Sequence, residues 1–332
     1  MLYTAACKAL GIRYPVAQAG MARWNTNAEL AAAVGEAGGL GILGCLGRPA
    51  DEARAQIERI RALTDRPFGV NLVLHLCEED TFRACLEARA PVFSFFRGSP
   101  EQVVEATARA HDAGAVVVHQ VTTPGEAVQA CEAGVDVLVV QGTEAGGHMG
   151  PLPLSSLLPA VAAIAHEAGR PVLAAGGIVD GRGLAAALCL GADGVLMGTR
   201  FLATREAPIS AAWKQAILDA APGSTVASPA FDLIWGQDWP GVRARALRNG
   251  LAERWADTDS DTLLAARDEI LDGIAQAERA DDPEGMILLA GAGAGLIRDL
   301  QPAGDIVRDV VVTAVETLQE ASRLIMSSEG LS

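Results

Sequence analysis

The chain has 332 residues and a formal net charge of −15, because 41 Asp and Glu outnumber 26 Lys and Arg. Half of the residues are apolar and one fifth are charged, which excludes intrinsic disorder or a collagen-like repeat over the whole chain. The excess of acidic residues provides no uniform basic face for a polyanion, so we expect no nucleic-acid partner.

The N-terminal segment, residues 1–14, does not combine a basic start with a continuous apolar core, so we expect no signal peptide and a cytoplasmic protein. The longest apolar stretches, 152–165 and 286–297, are shorter than the roughly 20 residues that span a bilayer, so no membrane association is expected. The six cysteines follow no zinc-binding spacing, and we expect no metal site.

A short apolar run, a turn with Gly or Pro and a helical stretch alternate through the first two thirds of the chain. This alternation predicts parallel strands that are connected by helices. The predicted strands are Pro15–Gly20, Leu40–Gly44, Phe68–Leu74, Val92–Phe96, Val116–Val121, Asp136–Gly142, Val172–Ile178 and Gly194–Phe201. The predicted helices between them are 27–38, 50–64, 80–90, 100–113, 124–133, 155–168 and 180–190.

Eight such units favour an α/β fold of the (β/α)8 TIM-barrel type with an additional C-terminal helical subdomain. Several strands are continuously apolar, as expected for a sheet that helices cover from outside. An open doubly wound sheet is the alternative, but the segment after the first strand does not carry the dinucleotide glycine motif of that fold. We therefore assign residues 1–208 to the barrel.

The alternation stops after Thr204. Residues 209–284 contain helical patterns and four of the five tryptophans, so we interpret them as a helical subdomain. The tryptophans either cover the barrel mouth or fill the core of this subdomain. Residues 285–332 are predicted to pack back on the barrel through a helix at Asp305–Leu324. The glycine-rich run Gly291–Gly295 lacks the context of a phosphate loop and is explained as well by a tight connection.

Catalytic residues of such barrels lie at the carboxyl ends of the strands. Gly176-Gly177 and Gly198-Thr199 follow the last two strands, where main-chain N–H groups commonly hold a phosphate. These glycines could serve only to allow tight turns. Because two such pairs follow adjacent strands, we favour a role in binding a phosphate-bearing cofactor. Neither loop has the Lys-Ser/Thr of a nucleoside triphosphate site.

His148 follows two glycines in the loop after the sixth strand, where an imidazole can take a proton or stabilise an anion. Glu144 either orients it or caps a turn. No acidic or His partner at metal-ligand spacing surrounds His148, and the chain lacks a Gly-x-Ser-x-Gly nucleophile motif. Together with the amides of Asn71 and Gln141, these features suit flavin mononucleotide (FMN) and redox chemistry.

Six motifs in this order resemble the nitronate monooxygenase family, formerly called 2-nitropropane dioxygenases. They are Pro15-Val-Ala-Gln-Ala-Gly-Met21, Phe68-Gly-Val-Asn-Leu72, Gln141-Gly-Thr-Glu-Ala-Gly-Gly-His148, Ala175-Gly-Gly-Ile178, Asp180-Gly-Arg-Gly183 and Met197-Gly-Thr-Arg-Phe201. The resemblance covers residues 10–205 closely and 286–325 loosely. The related flavin-dependent enoyl-acyl-carrier-protein reductases share nearly all of these motifs.

The resemblance implies that FMN lies at the top of the barrel and that His148 is the catalytic residue. His148 would remove the α-proton of a nitroalkane or stabilise the nitronate, and O2 would then give a carbonyl compound and nitrite. The implied and candidate cofactor-binding residues are Gly20, Met21, Asn71, Gln120, Gln141, Gly146, Gly147, Ala175, Gly176, Gly177, Leu196, Met197, Gly198 and Thr199. Gln120 stands where some relatives have a basic residue, and residues 209–284 diverge most.

Three functions are therefore compared. The first is FMN-dependent oxidation of a nitroalkane or nitronate by O2. The second is an FMN- and NADH-dependent enoyl-acyl-carrier-protein reductase, although the chain has no evident nicotinamide motif. The third is a non-enzymatic flavin- or phosphate-binding barrel. The sequence does not determine the oligomeric state, and a homodimer is one candidate assembly.

Overall fold

A computed structural model describes residues 2–21, 24–237, 239 and 241–324. Met1 and residues 325–332, the outer ends of the predicted segments 1–208 and 285–332, lie outside the described residues. Within the described ranges, no helix has the length and apolar character needed to cross a bilayer.

Eight parallel strands form a barrel, as predicted. They are Val16–Gln18 (β1), Gly41–Gly44 (β2), Phe68–Val73 (β3), Val92–Phe96 (β4), Val116–Val121 (β5), Val137–Gln141 (β6), Val172–Ala175 (β8) and Gly194–Met197 (β9). Neighbouring strands pair in the order β1-β9-β8-β6-β5-β4-β3-β2. A parallel bridge between Ala17 and Leu40 joins the two ends of this order, so the barrel is closed and the (β/α)8 prediction is confirmed.

Helices surround the barrel and continue beyond it. Their bounds are Ala5–Leu10 (α1), Ala28–Glu36 (α2), Ala50–Leu63 (α3), Glu79–Glu87 (α4), Pro100–Asp112 (α5), Pro124–Glu132 (α6), Leu154–Glu167 (α7), Gly181–Cys189 (α8), Thr199–Leu202 (α9), Ala211–Asp219 (α10), Ala230–Ile234 (α11), Gly250–Trp255 (α12), Ser260–Ala265 (α13), Arg267–Ala280 (α14) and Ala303–Ser322 (α15). Short 3-10 turns occupy Leu74–Leu76, Pro283–Gly285 and Ala292–Leu296. The seven predicted connecting helices agree with α2 to α8 within two residues at most ends.

Local sequence signals explain the start and end of α5. The Ser99 hydroxyl accepts a hydrogen bond from the Gln102 N–H at 3.3 Å, while the Gln102 side chain accepts one from the Ser99 N–H at 2.9 Å. This reciprocal cap and Pro100 at the first turn favour initiation there. Gly114, which directly follows the helix and precedes β5, has φ +79°, a left-handed conformation that glycine adopts without strain.

Two apolar layers hold the barrel and close its lower end. Alternate strand residues such as Ile42, Val139 and Leu173 fill the interior, and α1 contributes Cys7 and Leu10 to the same cluster. A larger layer packs between the strands and the outer helices. Because α1 fills the amino-terminal end, a ligand can reach the barrel interior only from the carboxyl ends of the strands.

The structure corrects the prediction that residues 209–284 are purely helical. Besides α10 to α14, this segment contains Thr225–Ser228 (β10) and Arg243–Leu247 (β11). These strands form an antiparallel sheet in the order β10-β11-β7, where β7 is Gly147–Met149 in the loop after β6. The added sheet therefore connects the later segment directly to the loop that carries His148.

The C-terminal helix α15 lies against the barrel helices α8 and α2. Its apolar face, which includes Ile306, Val307 and Val310, belongs to the large outer core layer. This contact places the 3-10 turn Ala292–Leu296, which precedes α15, next to the carboxyl ends of the last strands.

Candidate functional site

A cavity of about 480 Å³ opens at the carboxyl ends of the barrel strands. Its volume is within the range of about 300–1,000 Å³ that is usual for ligand sites. The sequence-predicted residues that line it are Gly20, Met21, Asn71, Gln120, Gln141, Gly146, Gly147, His148, Ala175, Gly176, Gly177, Leu196, Gly198 and Thr199. The structure therefore brings these residues together around one space.

Met197 is the exception among the predicted site residues. Its side chain is 1% exposed and belongs to the core layer between the strands and the outer helices. Successive strand residues point to opposite faces, so Met197 lies on the face opposite to Leu196. Its carbonyl oxygen accepts the Ala19 N–H at 2.9 Å, which fixes the adjacent loop.

Main-chain N–H groups after the last two barrel strands are available to a ligand. In the described part of the chain, the N–H groups of Gly176, Gly177, Gly198 and Thr199 make no hydrogen bond. Gly176 and Gly177 have φ values of +115° and +70°, backbone conformations that glycine adopts without strain. All four residues line the cavity, so their N–H groups form a suitable cradle for a phosphate.

The amide side chains of Asn71 on β3 and Gln141 at the end of β6 line the same cavity. The Asn71 amide nitrogen donates to the Ser94 carbonyl and hydroxyl oxygens at 3.0 and 3.2 Å. The Gln141 amide oxygen is buried and has no partner among the described residues. A buried acceptor without a donor is unfavourable, so this oxygen fits a ligand that presents an N–H or O–H group.

Gly146 and Gly147 serve different purposes. A Cβ atom on Gly146 would lie 2.6 Å from backbone atoms of Ala290 and Gly291, so glycine is needed there for chain-to-chain contact. Gly147 has φ +70° and no neighbour near its Cβ position, so this wall is open toward the cavity. The sequence suggested a cofactor contact for both residues, and the structure gives Gly146 a structural reason as well.

The tail after residue 285 contributes to the site more than the sequence suggested. The Gly291 N–H donates to the Thr199 hydroxyl oxygen at 2.8 Å, and the Ala292 N–H donates to the Glu144 carbonyl oxygen at 2.8 Å. Gly291 and Gly293 both line the cavity. Because both residues are glycines, three backbone segments can approach one another closely here. The glycine-rich run is therefore more than an isolated turn.

Strand pairing holds His148 at the cavity wall. In β7, His148 lies opposite Ala244 of β11, so its backbone is held within the added sheet. Its Nε2 atom is 2.5 Å from Oδ1 of Asp232. The Trp239 ring stacks on the imidazole at a centroid distance of 4.0 Å and an interplanar angle of 23°. The imidazole is thus oriented by a carboxylate and an aromatic ring.

Glu144 does not orient His148, which was one of the two roles considered for it. Its carboxylate oxygens accept the Leu154 N–H at 3.2 and 3.0 Å, at the start of α7. The turn-capping role is therefore the observed one, and the negatively charged carboxylate of Glu144 stabilises the N-terminus of α7. The orienting partner is Asp232, which sequence reasoning did not identify.

Aromatic and aliphatic residues from the later part of the chain close the upper cavity. Trp213, Phe231, Trp235, Ile287 and Leu289 line it. Of the two roles considered for the tryptophans, Trp213 and Trp235 therefore contact the cavity, while Trp255 packs in the separate apolar cluster of the added segment. Apolar walls of this kind exclude water from the space beside His148.

His119 and Gln120, which are successive residues of β5, point in opposite directions. Gln120 lines the cavity, whereas His119 is 5% exposed and its Nδ1 has no partner among the described residues. Burial lowers the pKa of His119 from 6.5 to about 4. His119 is therefore a neutral core residue under physiological conditions.

Replacement of His119 by leucine is expected to reduce the acid sensitivity of the fold. Below about pH 6.5 the unfolded chain binds a proton at His119 that the folded chain does not bind, so the free energy of unfolding falls until about pH 4. At 1.36 kcal/mol per pKa unit, the free energy of unfolding should fall by about 3 kcal/mol more in the wild type than in the variant between about pH 7.5 and about pH 4. Urea unfolding of both proteins measures this difference, and parallel pH profiles would contradict it.

Comparisons with known proteins agree with the motifs. The family model described as nitronate monooxygenase matches residues 4–83 and 77–313. A curated (3aS,4S,5R,7aS)-5-hydroxy-7a-methyl-1-oxo-octahydro-1H-indene-4-carboxyl-CoA dehydrogenase of Mycobacterium tuberculosis is 36% identical, over 98% of this chain and 99% of the relative.

Two solved structures extend the comparison to the fold. FabK from Thermotoga maritima has a TM-score of 0.87 and 33% identity, with 98% of this chain and 100% of that chain covered. Nitroalkane oxidase from Streptomyces ansochromogenes has a TM-score of 0.79 and 31% identity, with 96% and 100% covered. Both similarities extend through the segment that supplies Asp232.

Proposed function

The chain belongs to the nitronate monooxygenase family, and from this membership we propose that it is an FMN-dependent oxidoreductase that oxidises a nitroalkane or its nitronate with O2. The products would be a carbonyl compound and nitrite. The observation that supports this proposal is the placement of His148 and the N–H groups of Gly176, Gly177, Gly198 and Thr199 around one cavity. The similarity to a nitroalkane oxidase points to the same substrate class.

The cavity walls match the chemical groups of FMN. The four N–H groups suit the phosphate, because they have no partner among the described residues and a phosphate accepts hydrogen bonds from main-chain donors. Asn71 and Gln141 suit the polar edge of the ring system, and Gly20 and Met21 line the wall beside them. When bound, FMN would supply two-electron redox chemistry that the side chains cannot supply.

The remaining steps are assigned to side chains of this chain. His148 accepts the α-proton of a neutral substrate at a ring nitrogen, and Asp232 keeps the imidazole oriented. The ring of Trp239 supports the imidazole from one face. Trp213, Phe231 and Trp235 keep water away from the proton that is being transferred.

The absorbance spectrum of the purified protein tests this proposal. We expect the spectrum of a bound flavin, and with a nitroalkane we expect O2 consumption and nitrite release. A folded protein that takes up no FMN would contradict the cofactor assignment. Rapid anaerobic bleaching by NADH together with turnover of an enoyl thioester would instead favour the enoyl-acyl-carrier-protein reductase alternative.

One comparison supports a second candidate, the dehydrogenation of a hydroxylated coenzyme A thioester. The relative that is named for such a reaction matches 98% of this chain, including residues 209–284, which line the upper cavity. A hydroxyacyl thioester that reduces the bound flavin without oxygen, with no nitrite from any nitro compound, would favour this candidate.

A further inference from the structure

His148 and Asp232 form a partly buried pair although 84 residues separate them in the chain. The His148 side chain is 20% exposed and that of Asp232 is 8% exposed. A carboxylate oxygen only accepts hydrogen bonds, so the short Nε2 to Oδ1 contact requires that the imidazole donate through Nε2–H. In the neutral ring the lone pair is then on Nδ1.

The imidazole has little freedom to exchange its two nitrogens. The pairing of Gly147 with Arg245 and of His148 with Ala244 fixes the backbone on the strand. Trp239 covers one face of the ring, and His75 in turn contacts the edge of Trp239 at a centroid distance of 4.5 Å. A 180° flip of the ring would keep the stacking but place Cε1 where Nε2 lies, and the hydrogen bond to Asp232 would be lost.

The described residues give the Asp232 side chain a hydrogen-bond partner at one oxygen. Oδ2 is buried and without a partner among them, whereas Oδ1 contacts Nε2 of His148. The described cavity walls contain no Lys or Arg that could pair with this carboxylate instead. The carboxylate and the imidazole are therefore arranged to hold each other in place.

We propose that Asp232 is a positioning residue that holds the imidazole proton on Nε2, and that Nδ1 of His148 is the atom that takes the substrate proton. The substrate class in this statement rests on the proposed function. In the transfer, the substrate C–H or O–H bond breaks, its proton forms an N–H bond at Nδ1, and the electron pair stays on the substrate. Asp232 stabilises the resulting imidazolium.

Nitrogen-15 spectroscopy of the histidine side chains tests the tautomer without any catalysis. The chain has five histidines, so the resonances of His148 can be assigned by their loss in His148→Gln. We expect neutral His148 in the wild-type protein, with or without FMN, to carry its proton on Nε2. The Asp232→Asn variant is expected to gain the Nδ1–H form. A wild-type protein with the proton on Nδ1 would overturn the proposal.

Turnover of a matched substrate pair by the FMN-loaded enzyme tests the role of Asp232 in proton transfer. Asp232→Asn is expected to lower turnover of neutral nitroethane by at least about 10²-fold, up to the roughly 10⁴-fold that loss of the orienting Asp costs a Ser-His-Asp triad. Turnover of preformed ethyl nitronate should change far less, because its α-proton has already left. Asp232→Glu, which keeps the carboxylate, should recover part of the nitroethane activity.

The exposed Asp272 on α14 provides the control, since it does not line the cavity and Asp272→Asn removes the same charge from the same segment. Equal losses with nitroethane and ethyl nitronate in Asp232→Asn would overturn the proposal. If no form of the enzyme releases nitrite from either compound, the proposed function fails, and the tautomer measurement still decides the role of Asp232.

Discussion

Replacement of His148 by alanine is expected to lower turnover of a neutral nitroalkane by about 10²–10⁴-fold, the usual scale for the loss of a general base. His148 is the histidine that lines the cavity and is paired with a buried carboxylate. With preformed nitronate the loss should be smaller, because the proton has already left the substrate. Steady-state O2 consumption with both forms of the same compound measures the two effects.

Two controls separate catalysis from folding in this experiment. FMN content of His148→Ala should remain normal, since the groups assigned to the phosphate lie in other loops. His166→Ala is the matched variant, because His166 is partly exposed and paired with Asp193 on the outside of the barrel. Unchanged turnover in His148→Ala with full FMN content would contradict the assigned role and favour a non-enzymatic barrel or another base.

Replacement of Gly198 by valine is expected to weaken FMN binding by about 5- to 150-fold, which corresponds to an overpacking cost of about 1–3 kcal/mol. Gly198 has φ −102°, so a side chain is compatible with its backbone. Its Cβ position is 3.8 Å from the nearest protein atom, the sulfur of Met21, which leaves ordinary contact distance. The added bulk therefore acts mainly on a ligand that approaches the cradle.

Fluorescence titration of the cofactor-free protein with FMN measures the dissociation constant, and Gly198→Ala should give an intermediate value. Gly273→Ala is the control, since a Cβ there meets no atom within 4 Å and the residue lies within α14. An unchanged FMN affinity in Gly198→Val, with an unaltered thermal midpoint, would show that the phosphate is held elsewhere.

Much of the barrel could be predicted because each strand is determined by local pattern and turn chemistry. Val92–Phe96 and Val116–Val121 have the predicted bounds, and left-handed glycines such as Gly114 end the preceding helices. The rule that sites lie at the carboxyl ends of barrel strands then brought Asn71, Gln141 and His148 into one candidate site. These inferences depend only on residues that are near one another in the chain.

The partner of His148 could not be predicted in the same way. Asp232 lies on α11, which packs against β11, and β11 pairs antiparallel with β7, a short strand that is far away in the chain and carries His148. Neither strand carries a strong local signal: Gly147–Met149 is glycine-containing and three residues long, and Arg243–Leu247 alternates Arg with Ala but has no β-branched or aromatic residue. Pairing between such segments is decided by tertiary contact rather than by local propensity.

Met197 shows a different limit of the sequence argument. The motif Met197-Gly-Thr-Arg-Phe201 correctly indicated a loop at the cavity, but membership in a motif does not say which side chains face the ligand. The two-residue period of a strand sends Leu196 to the cavity and Met197 to the outer core. Applying that period to each strand end would have separated the two residues.

The central claim is that main-chain N–H groups after the last two barrel strands hold the phosphate of FMN. Titration of the cofactor-free protein with FMN and with riboflavin, which lacks the phosphate, tests it most directly. Hydrogen bonds to a charged group contribute about 1.5–3 kcal/mol each, so two or more of them predict one bound FMN and at least about 10²-fold weaker binding of riboflavin. Equal affinities for the two compounds, or no binding of either, would contradict the account.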